Sequence, residues 1–474
     1  MSLYLGIKLD RGGSTLLRDQ LRQQIKDLID SGSVAAGARL PGTRRLAVDL
    51  DVSRSVVTEA YQQLEAEGYL LSRQRSGTVV SERAARGDAR LSARPPDPAG
   101  ALRTTGDEPP IYWDLRSGLA DVNAFPRRQW MESLAGVFRS ATPRQLGYPP
   151  LAGLIELREE LAAYLRRVRG VDAAAEQIVV TGGFAQGLAL LCHLQLRDGF
   201  GTVAVEDPNH PGQRDFMSEI GVRCVPVPVD REGIDVDALA RTGARMVLVT
   251  PTHQFPTGLV TSQHRREALV AWARRTGSVI VEDDYDGEFW YDSQPQPLAL
   301  QSLGPDVVAY GGSVSKTLIP GLRLGWLVLP PRLVEPVLRI RSHHDLGMSS
   351  VDQLGFMNFM AGGQLDRHLR NMRKRYSARS QAVVVALRER LDGAEVYGHS
   401  AGLQRFVALP PGVPEGRVVA EARRSGVVVR GGRHFTMTNR DLPDGLVIGC
   451  TFYPPQSLAA AVRLVVDAVE TVRR

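Results

Sequence analysis

Five short runs of Val, Ile and Leu constrain this chain most: QIVVTGG, TVAVED, RMVLVTP, SVIVEDDY and VVAYGGS, recurring between residues 177 and 313. Each is too continuously apolar for a strand with one wet face, and helical stretches separate them. Such runs are what a parallel sheet covered by helices on both faces requires. The expectation is an α/β domain with its chemistry at the strand ends, where open α/β sheets gather ligands.

At 474 residues the chain exceeds one core, which stops growing at roughly 250 to 300 residues. A segment rich in Pro, Gly, Ala and charge, 82–110, has few apolar anchors and reads as a flexible linker. It separates residues 1–81 from 111–474. Near Arg332 to Arg341 a helix leaves the expected sheet, and the remainder, from about 345 to 474, alternates long helices with antiparallel-type strands. That pattern predicts a smaller α+β lobe.

The three cysteines lie far apart without CxxC or His at ligand spacing, so neither a disulfide framework nor a metal site is expected. There is no charged start with a long apolar run, nor a stretch of about 18 uncharged apolar residues. The expected location is the cytoplasm.

A net charge of +6 is mild, but Arg39, Arg44, Arg45, Arg54, Arg73 and Arg75 gather around a compact helical pattern near the start of the chain. Leu17, Leu21, Ile25, Leu28 and Ile29 trace one face of a helix from Ser14 to Ser31. A short helix over Thr43 to Leu50, a DVS turn and a longer helix from about Arg54 to Glu67 follow. The runs YLLSR and GTVVSE then flank a polar tip, Gln74 to Gly77. Helix, turn and helix in this proportion place the second helix in a DNA major groove, with the hairpin as a wing. A solvated arginine-rich surface is the plain alternative for the charge alone.

Tyr310-Gly-Gly-Ser-Val-Ser-Lys316 sets a lysine in a tight turn after a buried strand. A buried, neutral lysine attacks an aldehyde, and pyridoxal 5'-phosphate is tethered in this way as a Schiff base, here on Lys316. Ser313, Ser315 and Arg323 suit a phosphate, as do the backbone amides of Phe184 and Ala185 where TGGFAQG opens a helix. Asp283 would keep a pyridine nitrogen protonated, and Tyr285 would hydrogen-bond the ring phenolate oxygen. Each segment alone has a plain reading: an exposed loop lysine, or a common glycine turn.

The order and spacing of these segments resemble fold type I aminotransferases. Asp207-Pro-Asn-His210 resembles the loop that lays a ring over the cofactor, with His210 where an aromatic residue is usual. Thr250-Pro-Thr-His-Gln-Phe-Pro-Thr-Gly258 resembles the NPTG-like turn, with Phe255 replacing its asparagine. The HQFPTG form is that of the MocR subfamily of GntR regulators. Leu40-Pro-Gly-Thr-Arg-Arg-Leu-Ala47, Val52-Ser-Arg-Ser-Val-Val-Thr58 and Tyr61-Gln-Gln-Leu-Glu-Ala-Glu-Gly68 resemble the GntR winged helix. The resemblance implies that Arg44, Arg54, Ser55 and Thr58 contact promoter DNA and that Gly77 approaches the minor groove. It also implies a homodimer in which each winged helix rests on the partner's large domain.

One departure bears on function. The arginine with which such aminotransferases grip a substrate carboxylate is replaced by Val447 in Leu446-Val-Ile-Gly-Cys450. Arg430 and Arg433 are candidate substitutes in an effector site, a surface turn being the alternative. The expectation is therefore a regulator sensing pyridoxal phosphate or an amine, with a working aminotransferase as the competing reading.

Overall fold

The computed structural model describes residues 7, 9–10, 12, 15–30, 34–73, 77–81, 111–438 and 441–474. The chain divides into two compact units. The expected linker, 82–110, and the expected wing tip, 74–76, lie outside the described residues.

In the N-terminal unit, helices Leu17–Asp30, Thr43–Asp49 and Arg54–Ala66 precede an antiparallel hairpin, Leu70–Arg73 with Gly77–Val80. Leu21, Ile25 and Ile29 recur every four residues and bury against Leu46, Val57, Leu64, Leu70 and Val80. Asp51, at φ 51, makes the left-handed turn between the second and third helices. The Tyr61 hydroxyl donates to the Pro41 carbonyl at 2.9 Å, fixing the third helix against the turn before the second.

The C-terminal unit is built on an eight-stranded sheet. Its order is Ile178–Thr181, Gly325–Val328, Val308–Ser313, Val279–Asp283, Met246–Val249, Thr202–Asp207, Arg223–Asp230 and Gly233–Ile234. All five expected runs are strands of it. Gly325–Val328 runs antiparallel to both neighbours. The strands alternate between two covered faces: Val203, Val205, Leu248 and Val281 enter one core, and Ala204, Val247, Val249 and Ile280 another.

The small lobe holds the strands Glu395–Val396, Gln404–Ala408, Gly445–Gly449 and Arg430–Gly431, in that spatial order. Its extent differs from the expected 345–474. Helix Ser350–Ala361 contributes Phe356, Phe359 and Met360 to the same core as Trp130 and Leu161, on the large lobe. Helix Gln364–Arg388 begins in that core with Leu365, Leu369 and Tyr376 and enters the small-lobe core only at Val383, Ala386 and Leu387. Trp113–Asp114 pairs in parallel with Val427–Val428, and Leu115 lies in the small-lobe core. Helical periodicity marks an apolar face but not which core it meets, so one helix spanning two lobes reads as belonging to one. Among the described residues no helix is long and apolar enough to cross a membrane.

Candidate functional site

Where the strands Ile178–Thr181, Val279–Asp283 and Val308–Ser313 end, a cavity of about 260 Å³ opens. Lys316, Asp283, Tyr285, His210, Phe184, Ala185, Ser313, Ser315 and Arg323 all line it, together with Gln213, Thr250, Phe255 and Gln404. Segments from Ser117 to Gln404 thus converge on one cavity.

Lys316 sits in the turn after Val308–Ser313 and donates Nζ–H to the Gly118 carbonyl at 2.6 Å. Burial pulls its pKa below the usual lysine value, with Asp283 and Asp286 partly opposing. Asp283 closes its strand and accepts from Gln213 Nε2 at 2.6 Å. Burial raises the Asp283 carboxyl to about 7, reinforced by Asp284 and Asp286 and opposed by Gln213 and Lys316. Asp284 beside it turns away: it pairs with Arg169 at 2.6 Å and accepts from Tyr310 Oη at 2.8 Å. This buried pair anchors the acidic segment.

Gly183, at φ 99, leads into helix Phe184–Arg197, whose first-turn N–H groups have no intrahelical acceptor. A β-carbon on Gly183 would lie 3.0 Å from Arg323 Nη2, so glycine here lets the guanidinium close on the helix start. Arg323 donates to the Gly182 carbonyl at 2.6 Å. Phe184, Ala185, Ser313, Ser315 and Arg323 thus bring donors to the same cavity that Lys316 and Asp283 line.

Tyr285 is more constrained than the sequence suggests. Its hydroxyl accepts from Gln404 Nε2 at 2.7 Å, donates to the His253 carbonyl at 3.1 Å and lies 3.0 Å from His253 Nδ1, which in turn is 2.9 Å from Asp286. Gln404 comes from the small lobe, so this network ties the two lobes across the cavity. His210 caps helix Pro211–Ile220 with its ring 5.3 Å from that of Phe255. Burial, then the Lys316 charge, lowers the His210 pKa, favouring a neutral ring.

Val447 is fully buried among Phe255, Phe406 and Phe435. Neither Arg430 nor Arg433 lines the cavity; Arg433 is exposed, 3.7 Å from Asp444. The sequence reading missed Gly118, Gln213 and Gln404. Gly118 and Gln404 fall in segments without a motif, and Gln213 follows the quoted Asp207 to His210 loop by three residues.

In the N-terminal unit, Arg54 and Ser55 open the third helix and are exposed, as is Arg44 on the second. Arg54 Nε lies 3.4 Å from Thr43 Oγ1, and the Ser53 and Ser55 hydroxyls are 2.7 Å apart. Thr58 is half-buried and donates back to the Arg54 carbonyl at 2.9 Å, so its hydroxyl is turned onto its own helix. Gly77 begins the second wing strand opposite Arg73. Arg18 and Arg22 instead pair with Glu59 and Glu67, joining the first helix to the third.

The description Bacterial regulatory proteins, gntR family matches residues 17–80, and Aminotransferase class I and II matches residues 118–444. The probable rhizopine catabolism regulatory protein MocR of Rhizobium meliloti is 33% identical, covering 84% of this chain and 82% of that protein. The chain belongs to the MocR-type GntR regulators. Another relative of this MocR-type chain is the HTH-type pyridoxine biosynthesis transcriptional regulator PdxR of Corynebacterium glutamicum, 30% identical over 98% of each chain. The kynurenine aminotransferase of Pyrococcus horikoshii, solved with PMP, superposes with a TM-score of 0.69 at 25% identity, covering 77% of this chain and 91% of that one. The MocR-type regulator therefore joins a DNA-binding GntR unit to a fold type I aminotransferase domain.

Proposed function

We propose that this chain is a transcription regulator whose cavity holds pyridoxal 5'-phosphate at Lys316 and senses either that cofactor or an amine reacting with it. The observation that carries the reading is the convergence of Lys316 and Asp283 in one cavity with Ser313, Ser315, Arg323 and the start of helix Phe184–Arg197. When bound, pyridoxal phosphate supplies an aldehyde for a primary amine and a ring that withdraws electrons once its nitrogen is protonated.

The residues fit that group. Asp283 is a buried carboxylate whose side-chain hydrogen-bond partner is the neutral Gln213, so a cationic ring nitrogen would stabilise its charge. The amides of Phe184 and Ala185, with Ser313, Ser315 and Arg323, offer a dianionic phosphate both donors and a helix N-terminus. The Gly118 carbonyl orients the Lys316 amine, and burial keeps that amine poised to lose its proton. Tyr285, held by Gln404 and the His253 carbonyl, presents a fixed hydroxyl to the ring edge.

Arg44, Arg54 and Ser55 read or clamp promoter DNA, Thr58 stiffens the start of the recognition helix, and Gly77 approaches the minor groove. The assembly is a homodimer with exchanged winged helices. Supporting a second copy, Met131 and Phe138 on helix Arg127–Ser140 and the nearby Tyr148 are 68%, 69% and 86% exposed. Signal transfer requires the ligand to bind two arrangements of the protein with different affinities. Retention of Lys316, Asp283 and Tyr285 favours a second reading, an enzyme that still transaminates.

Binding of the protein to its own promoter DNA, with and without pyridoxal phosphate and an amine panel, tests the regulator. Affinity should change with the ligand, and purified protein should carry a visible absorption band that Lys316→Ala removes. Ligand-independent DNA binding together with sustained turnover of an amino donor and a keto acid would favour the enzyme.

A further inference from the structure

His253 follows the strand Met246–Val249 and does not line the cavity, but it touches Tyr285, which does. His253 and Asp286 are 2% and 3% exposed, and Asp286 Oδ2 lies 2.9 Å from His253 Nδ1. A carboxylate only accepts, so Nδ1 carries the hydrogen and shares it with the Tyr285 oxygen at 3.0 Å. The other ring nitrogen, Nε2, is buried and has no partner. A hydrogen there would be a buried donor without an acceptor, so the site suits a neutral ring with its hydrogen on Nδ1.

The surrounding backbone leaves the ring one seat. Gly402, at φ +68, comes so close that a β-carbon there would overlap both His253 Cε1 and Asp286 Oδ2. A β-carbon on Gly258, at φ +74, would lie 3.0 Å from Nε2. Left-handed glycines from two segments thus make room for the imidazole. Tyr285 consequently receives two N–H donors, His253 Nδ1 and Gln404 Nε2, the latter at 2.7 Å. An oxygen with both lone pairs taken acts only through its own hydrogen, which here has the His253 carbonyl at 3.1 Å as an acceptor.

We propose that His253, held by Asp286, is a positioning residue that commits the Tyr285 hydroxyl to donate, and that its acceptor in the loaded protein is the ring oxygen of pyridoxal phosphate. The assignment rests on the cavity holding that cofactor at Lys316. N–H donation into the Tyr285 oxygen also polarises its O–H, which makes it a stronger donor. A hydrogen donated by Tyr285 stabilises negative charge on the ring oxygen, and so lowers the pH at which the Lys316 nitrogen joined to the ring gives up its proton. The charged and titratable groups around Lys316 are Asp283, Asp286, His210, Tyr285 and Arg323, with Tyr291 beside Asp286. All of them remain when His253 alone is replaced.

The test is a pH titration of the visible absorption band of the cofactor-loaded protein. His253→Leu should move the midpoint up by about 0.5 to 1 pH unit, as expected for one weakened hydrogen bond. His253→Asn, which puts an amide nitrogen near the place of Nδ1, should restore most of the wild-type value. In Tyr285→Phe the midpoint should already be high, and adding His253→Leu should raise it no further, since His253 acts through that hydroxyl. An unchanged midpoint in His253→Leu, or an equal rise on both backgrounds, overturns the proposal. Should His253→Leu not fold, His253→Ala is read in its place with the same two outcomes. A wild type with no visible band overturns the cofactor reading, and the positioning role falls with it.

Discussion

Lys316 donates its Nζ–H to the carbonyl of Gly118, 198 residues earlier, at 2.6 Å. The bond ties the cavity lysine to the segment that follows the small-lobe strand Trp113–Asp114. Beyond Gly118 that segment is held again, where Asp121 pairs with Arg379 at 2.9 Å.

Gly118 sits at φ +83, and a β-carbon there would lie 3.6 Å from Lys316 Nζ. The space is ordinary but the backbone is left-handed. Gly118→Ala should therefore lower stability by about 1 to 2 kcal/mol through strain alone. Denaturant midpoints matching the wild type would refute this.

Arg169 and Asp284 form a pair with side chains each 2% exposed. Arg169→Met leaves the carboxylate buried without its cation and should cost about 3 to 5 kcal/mol. Adding Asp284→Asn should recover part of the loss, since the stranded charge is then gone. Equilibrium unfolding of both variants decides it, and a double variant no more stable than Arg169→Met would contradict the pair as the cause.

Burial holds Asp283 near 7 in the folded chain, against an ordinary 3.8. Between these values the folded state keeps a proton that the unfolded state has released. Stability from this group is thus present at low pH and is lost as pH rises from about 4 to about 7. Thermal melts of cofactor-free protein across that window should show a shallower decline in Asp283→Asn than in the wild type. Parallel profiles would count against the shift.

Arg54 opens the third helix and has no acidic partner among the described residues, whereas Arg22 is paired 2.7 Å from Glu67. Arg54→Ala should weaken promoter binding, and if the contact is to phosphate the salt slope should fall by about one. Arg22→Ala should act on stability instead. Equal DNA affinity in Arg54→Ala and wild type would remove this helix from the interface.

Much of this was legible in the sequence because it is local. A run such as Val279 to Asp283 declares a buried strand through its side-chain chemistry, and Thr181 to Gly187 declares a strand-to-helix turn through glycine. Their order then brought Lys316, Asp283 and Arg323 into one candidate site, and in the structure all three line one cavity. The small-lobe boundary was not legible, since Leu365 and Val383 share a helix and differ only in which core they enter.

By itself, then, the sequence determined which residues are able to carry the chemistry and which runs must be buried. The fold decided what each one faces. Gly118 and Gln404 belong to no motif and become cavity residues through pairing across nearly 200 and more than 100 positions. Arg430 and Arg433 look equivalent in VVVRGGRHF, yet strand register sets Arg430 opposite the buried Val447 and leaves Arg433 exposed. Register and face depend on long-range hydrogen bonding and packing, which local composition does not encode.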